Sequence, residues 1–390
     1  MPPNNSSTAS RHISFSDITQ EQTNIIKGLA ITLIVFHNII HHTNTIGENQ
    51  FDDEFSPDRI MALWAAIKQA PDFIINGILT YFGHFGVQAF IFVSGYGLAK
   101  KYMNYTALPY KTYYRQRLTK IYVLLFFGIV VNIIAFSLII KYWPLDYFYL
   151  KKTVLCLTTI GNFFGLMPIW GPWWFFGLII QLYLLFPLLF TVLKRYSEKG
   201  FFGLGIISYL LIYAASGIIL LLTNLPPPLF TFVNKHTPAV FSIFIGHTPE
   251  FLLGMALAMF PSLKITKPVL LVSLAVFILA NVCASVFPLG FLSATILLLT
   301  LFRLIYIRFP QWFLSGFSFL GKISMCIFLF NAPVRNIVRR RIGLTIDSDS
   351  PPLLLTLKTV FLFAVIVVFS YLMWLLYDKL MQFLKRKGIV

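Results

Sequence analysis

A chain of 390 residues that is 57% hydrophobic, 17% aromatic and only 12% charged carries more apolar surface than a soluble protein of that length can bury, which places it in a bilayer. Its formal charge of +17 is dispersed among short connections and not gathered in a soluble domain, so positive-inside bias explains it and a nucleic-acid partner does not. Cys156, Cys283 and Cys326 lie in apolar stretches, are odd in number and lack metal-ligand or CxxC spacing, which predicts inert packing residues.

In chain order, residues 1–23 form a polar segment rich in Ser, Thr and Asn, without the apolar core of a cleavable signal peptide, and are expected to be flexible and cytoplasmic. The first span must then act as its own insertion signal. Apolar stretches of about twenty residues predict ten spans: 24–42, 84–101, 119–140, 172–193, 201–223, 248–263, 267–286, 289–307, 314–333 and 355–377. Residues 60–80 interleave apolar side chains with Lys68 and Asp72, as in a helix lying on the surface. The stretch 153–169, interrupted by Gly161, Gly165 and Pro168, reads as re-entrant or interfacial. The predicted fold is an all-α integral membrane bundle of about ten helices, with a single membrane domain over 24–378 and a basic tail over 379–390.

Lys and Arg set the orientation. Lys100, Lys101, Lys111, Arg115, Arg117 and Lys120 crowd the second connection, Lys194, Arg195 and Lys199 the fourth, and Lys379, Lys385, Arg386 and Lys387 the tail. These belong in the cytoplasm, whereas the first external loop carries Glu48, Asp52, Asp53, Glu54 and Asp58. Both termini are then cytoplasmic. Arg335, Arg339, Arg340 and Arg341 run against this rule by following the ninth span on the external side. Three readings cover them: a helix end tucked into the protein, a held anion, or a misplaced span.

The chemistry-bearing residue is His37, inside the first span. An ionisable side chain at membrane depth costs roughly 2.5 to 3.5 kcal/mol on insertion scales and is a functional-site candidate by default. Histidine also takes and returns a proton near neutral pH. Lys27 lies ten residues earlier, about 15 Å along an ideal helix and about 80° around it, which predicts a cation at the cytoplasmic boundary and a base near the midplane. Such a pair suits transfer of an activated group from an anionic, soluble donor to an acceptor hydroxyl.

The run IIKGLAITLIVFHN resembles the opening of the acyltransferase family 3 proteins, multipass bacterial membrane O-acyltransferases whose first helix carries a basic residue followed by a histidine. GVQAFIFVSGYGLAKKY (Gly86 to Tyr102) is similar to that family's second-helix stretch, YYRQRLTKIY to its basic entry into the third helix, and WWFFGLIIQLYLLFPLL to its Trp-Phe to Pro block. HTPEFLLGMALA and LGKISMCIFLFNAP match two later blocks, so the resemblance runs in order along most of the chain. Three departures stand out. Lys27 and His37 are one residue closer than the family spacing, which puts Asn38 at the histidine's counted position; Arg117 and Lys120, with Arg115 as a substitute, replace a pair of arginines; and Asn331 stands where a late histidine is common.

The resemblance implies an O-acyltransferase of the cytoplasmic (inner) membrane, with His37 as base and Lys27, Arg115, Arg117 and Lys120 receiving the donor. It implies no bound cofactor: acetyl-CoA is the co-substrate, the acceptor is a hydroxyl of a cell-envelope glycan or lipid-linked sugar, and membrane lipids surround the chain. His41, one turn beyond His37, is the alternative base; the two have H-x-x-x-H spacing, but no acidic third ligand on that helix completes a metal site. Glu250 is a second candidate acid or base. Ser94 suits an acyl carrier or close helix packing, Trp173, Trp174 and Tyr183 suit an interfacial belt, and His84, His236 and His247 have no evident partner. A flippase of lipid-linked sugars or a polysaccharide polymerase is the rival class; no inverted repeat supports the first, and the arginines near Arg340 favour the second.

Overall fold

Thr19 starts the first helix. Its hydroxyl accepts from the Gln22 backbone N–H at 3.2 Å, and Gln22 Oε1 accepts from the Thr19 N–H at 2.9 Å, a capping box that satisfies two donors the first turn leaves bare. The helix, α1 (Gln20–Ile40), therefore begins four residues before the predicted span. In this computed structural model the described residues are 15, 17–40, 55, 58–69, 74–141, 147–163, 169–223, 240–344 and 350–388, and all regular structure among them is helical.

After α1 come α2 (Asp58–Gln69), α3 (Ile74–Phe82), α4 (Gly86–Tyr102), α5 (Tyr110–Ala135), α6 (Tyr147–Thr158), α7 (Ile160–Phe163) and α8 (Trp174–Thr223). Then follow α9 (Phe244–Met259), α10 (Lys267–Ala280), α11 (Phe287–Arg308), α12 (Gln311–Ile342) and α13 (Pro352–Arg386). Seven described stretches are long and apolar enough to cross a membrane: 20–40, 74–102, 110–140, 171–218, 287–308, 311–342 and 352–386. The count differs from ten for local reasons. The predicted fourth and fifth spans fall in one helical run that breaks at Ser197, whose φ of 52° no α-helix accommodates. The predicted sixth and seventh are helices of 16 and 14 residues.

Other boundaries also move. The predicted surface helix over 60–80 is two helices, and the second, α3, runs through a 3₁₀ turn (Gly83–Phe85) into α4. The stretch 153–169 holds the end of α6 and the single turn α7, separated by Thr159 at φ 60°. Helix α10 ends at Ala280, which leaves Cys283 exposed in a turn and not packed in a span as its apolar surroundings suggested; Cys326 is buried.

Two glycine crossings hold the centre. A Cβ on Gly28 would collide with the Phe317 carbonyl, and one on Gly321 with the Asn24 carbonyl, so α1 and α12 touch backbone to backbone. Gln311 donates to Glu21 at 3.0 Å near one end of this pair and Arg335 to the Asn38 carbonyl at the other, so the two helices run parallel. Gly95 meets the Phe251 carbonyl and Gly254 the Phe92 carbonyl in the same reciprocal way, and Phe85 and Phe241, just before the two helices, both pack on Phe291, so α4 and α9 run parallel. Between the pairs, Gly83 lies on His37 and Gly86 on Ala30, while the Ile18 N–H donates to the Tyr96 hydroxyl at 2.7 Å. Helix α4 is therefore antiparallel to α1.

Helix α12 runs 32 residues, about 48 Å, well beyond a hydrocarbon thickness of about 30 Å. Of the four arginines that run against the charge rule, one is tucked into the protein. Arg335 is tucked against the end of α1, and Arg339, Arg340 and Arg341 are exposed on the last turns.

Candidate active site

At the Lys27 end of α1 the helices line a half-open cavity of about 480 Å³. Lys27 reaches it from α1, Ser94, Lys100 and Lys101 from α4, and Arg117 from α5, with Tyr183 of α8 completing the wall. Four of these residues are cations, and among the described residues no carboxylate lines the cavity. Lys101 donates to Gln116 Oε1 at 2.8 Å, and Lys100 pairs with Asp17 at 2.9 Å. Arg117 keeps its Nε shut off from solvent without a hydrogen-bond partner. A guanidinium and ammonium groups around one void suit phosphate oxygens, the guanidinium by its planar fork and the lysines as point charges.

Of the four predicted donor residues, the fold brings Lys27 and Arg117 to this cavity and leaves Arg115 and Lys120 off its wall. Arg115 and Lys120 are exposed, and the Lys120 carbonyl accepts from the Tyr377 hydroxyl at 3.2 Å. Helical phase accounts for Arg115, which is two residues, about 200°, from Arg117 and so faces the opposite way. Lys100 and Lys101, read from the sequence as topology signals, are the cavity's other cations.

His37 lies near the other end of α1, buried, with its Nδ1 2.6 Å from the Thr80 carbonyl of α3. A carbonyl can only accept, so Nδ1 carries the hydrogen and Nε2 is the basic nitrogen of the neutral ring. The ring centroid of His84 lies 5.6 Å away. Because α1 starts early and ends at Ile40, His37 sits about 5 Å from the helix's far end, nearer that end than its middle, and Lys27 about 10 Å in from the start. Asn38, at the position counted from the family spacing, turns its side chain back to the Ile34 carbonyl at 2.8 Å. His41 and His236 lie outside the described residues.

A second polar cluster surrounds Glu250. Both Glu250 and His247 are 1% exposed inside α9, away from the span start where the sequence placed Glu250. His247 Nε2 donates to the Phe241 carbonyl at 2.8 Å, and its Nδ1 is 3.8 Å from Glu250 Oε2, an ion-pair distance too long for a hydrogen bond. Neither His247 Nδ1 nor Glu250 Oε2 has a hydrogen-bond partner among the described residues. The Tyr209 hydroxyl, which feels the Glu250 carboxylate, is likewise buried without a hydrogen-bond partner.

The three aromatic residues expected at the interface all make contacts within the protein. Trp173 is fully buried, its Nε1–H donating to the Leu329 carbonyl at 2.8 Å; Trp174 stacks on His247 with centroids 6.2 Å apart; Tyr183 faces the cavity. The sequence held a signal for the first two, since a Trp-Trp pair after Gly-Pro marks a helix start where indole N–H groups need acceptors.

A family model described as Acyltransferase domain matches residues 21–375. Neither a search of curated proteins nor one of solved structures returns a match.

Proposed function

The chain belongs to the acyltransferase domain family, and on that premise we propose that it moves an acetyl group from acetyl-CoA to a hydroxyl of a cell-envelope glycan or lipid-linked sugar. One observation supports this most: a single helix, α1, offers Lys27 to a cation-lined cavity also reached by Arg117 and, about 15 Å further along, holds a buried histidine by its Nδ1. The donor phosphates lie at Lys27 and Arg117, and an extended pantetheine arm is long enough to carry the thioester towards His37. His37 Nε2 takes the acceptor's hydroxyl proton as that oxygen bonds to the thioester carbon. The C–S bond breaks, and the leaving thiolate takes the proton back from the imidazolium, so the ring ends neutral. Glu250 with His247 is a second candidate acid–base pair, and no bound cofactor is invoked.

The chain sits in this reading in the cytoplasmic membrane, crosses it about ten times and keeps both termini inside. The parallel runs of α1 with α12, first and ninth segments, and of α4 with α9, second and sixth, support that alternation. Envelope glycans from cells with and without the gene, compared by mass, test the function. A gain of acetyl units that depends on the gene supports it; identical glycans overturn it.

A further inference from the structure

One wall of the Lys27 cavity comes from the segment that precedes α1. Phe15 is buried in the core, and Ile18, which lines the cavity, donates its N–H to the buried side of Tyr96 at 2.7 Å. Asp17 lies between these two anchors with its side chain 77% exposed, and it reaches Lys100 Nζ at 2.9 Å. The anchors hold the carboxylate at one of the four cavity cations. Lys27 and Arg117 have no carboxylate within ion-pair distance among the described residues.

We propose that Lys100 is a phosphate-binding residue for the donor and that Asp17 is its intramolecular stand-in, so that the segment carrying Asp17 and Ile18 is a strap which the donor's phosphate displaces. The inference rests on reading the cavity as the donor site. The pair is built to exchange: exposed ion pairs contribute little and weaken with salt. A phosphate brings a charge of about −1.5 to −2 and three acceptor oxygens against a single carboxylate. Asp17 therefore keeps Lys100 neutralised and in place while the cavity is empty, and yields it to a stronger anion. Donors that lack that phosphate leave the strap closed, which makes Asp17 and Lys100 specificity-determining residues and not part of the acyl-transfer chemistry.

The test is equilibrium binding of CoA and of 3′-dephospho-CoA to the detergent-purified full chain at low ionic strength. Asp17→Asn is expected to tighten CoA binding about two- to five-fold, Lys100→Gln to weaken it, and Asp17→Asn to change nothing in the Lys100→Gln background. A gain that disappears with 3′-dephospho-CoA assigns the ribose phosphate to Lys100; a gain with both ligands assigns the diphosphate. An Asp17→Asn protein with unchanged or weaker CoA binding, or a gain that persists without Lys100, overturns the strap. Loss of binding in Arg117→Ala alongside such a result leaves the donor site standing, whereas CoA binding unaffected by both Arg117→Ala and Lys27→Gln overturns the donor site and the strap together.

Discussion

Gly83→Ala tests whether the placement of His37 matters, without touching the imidazole. Gly83 opens the 3₁₀ turn between α3 and α4 and lies against α1, where a Cβ would stand 2.6 Å from His37 Cβ and 2.7 Å from the Leu33 carbonyl. Ordinary contact begins at 3.4 Å, so the two elements must part by about 0.8 Å. The same displacement stretches the 2.6 Å contact from Nδ1 to the Thr80 carbonyl to about 3.4 Å, past a useful hydrogen bond, and frees the ring to turn. Overpacking of this kind costs about 1 to 3 kcal/mol, which a bundle of this size survives. A displacement near 1 Å costs on the order of 10² in rate, so acetyl transfer should fall by about that factor while the protein stays in the membrane. The assay is incorporation of label from acetyl-CoA into the envelope glycan of isolated membranes, normalised to the amount of protein. Gly203→Ala, where an added Cβ meets nothing within 4 Å, is the control. Full transfer by Gly83→Ala would show that His37 is not a positioned base.

Four other outcomes follow from the same geometry. His37→Ala should lower transfer by about 10² to 10⁴, while His41→Ala leaves a substantial fraction; the reverse pattern in the same assay would move the base. Arg117→Ala should raise the acetyl-CoA concentration needed for half-maximal transfer, and Arg117→Lys should restore it only in part because the fork is lost; an unchanged requirement assigns Arg117 to topology. Glu250→Gln keeps the shape and removes the carboxylate, so transfer should drop at least about tenfold with melting unchanged; unaltered transfer would assign the pair to packing. In intact cells, Lys111→Cys should resist an impermeant thiol reagent and Asp52→Cys should react, and the opposite labelling would invert the orientation.

The apolar runs made the helical class and most segments legible, because a bilayer leaves little choice but helices with internally paired backbones. Boundaries were harder. The Thr19-x-x-Gln22 capping box was readable and accounts for the early start of α1, and the charged connection with Lys194, Arg195 and Lys199 marked the break that falls at Ser197. The pairing of α1 with α12 was not legible: Gly28 and Gly321 are single glycines in unrelated runs, and only their mutual approach reveals the crossing. At the site, depth and residue type singled out His37, and the cluster around Arg117 pointed to one cavity wall. Thr80 contributes only its backbone carbonyl, which no side-chain pattern encodes, and the helix preceding α4 had been read as lying on the surface. Lys100 and Lys101 looked identical to ordinary loop charges until α4 brought them beside Lys27.

The parallel contact between α1 and α12 also sets a schedule for biogenesis. Its partners Glu21 and Gln311 are 290 residues apart, and at roughly 5 to 20 residues per second the ribosome needs about 15 to 60 s to supply the second after the first. During that interval α3 and α4, made soon after α1, can already cover His37, but the bare backbone at Gly28 still lacks the helix it packs against. A substitution at Gly321 would then extend this exposed period indefinitely, and its first symptom would be proteolytic clearance of the nascent chain, ahead of any change in turnover by the molecules that mature.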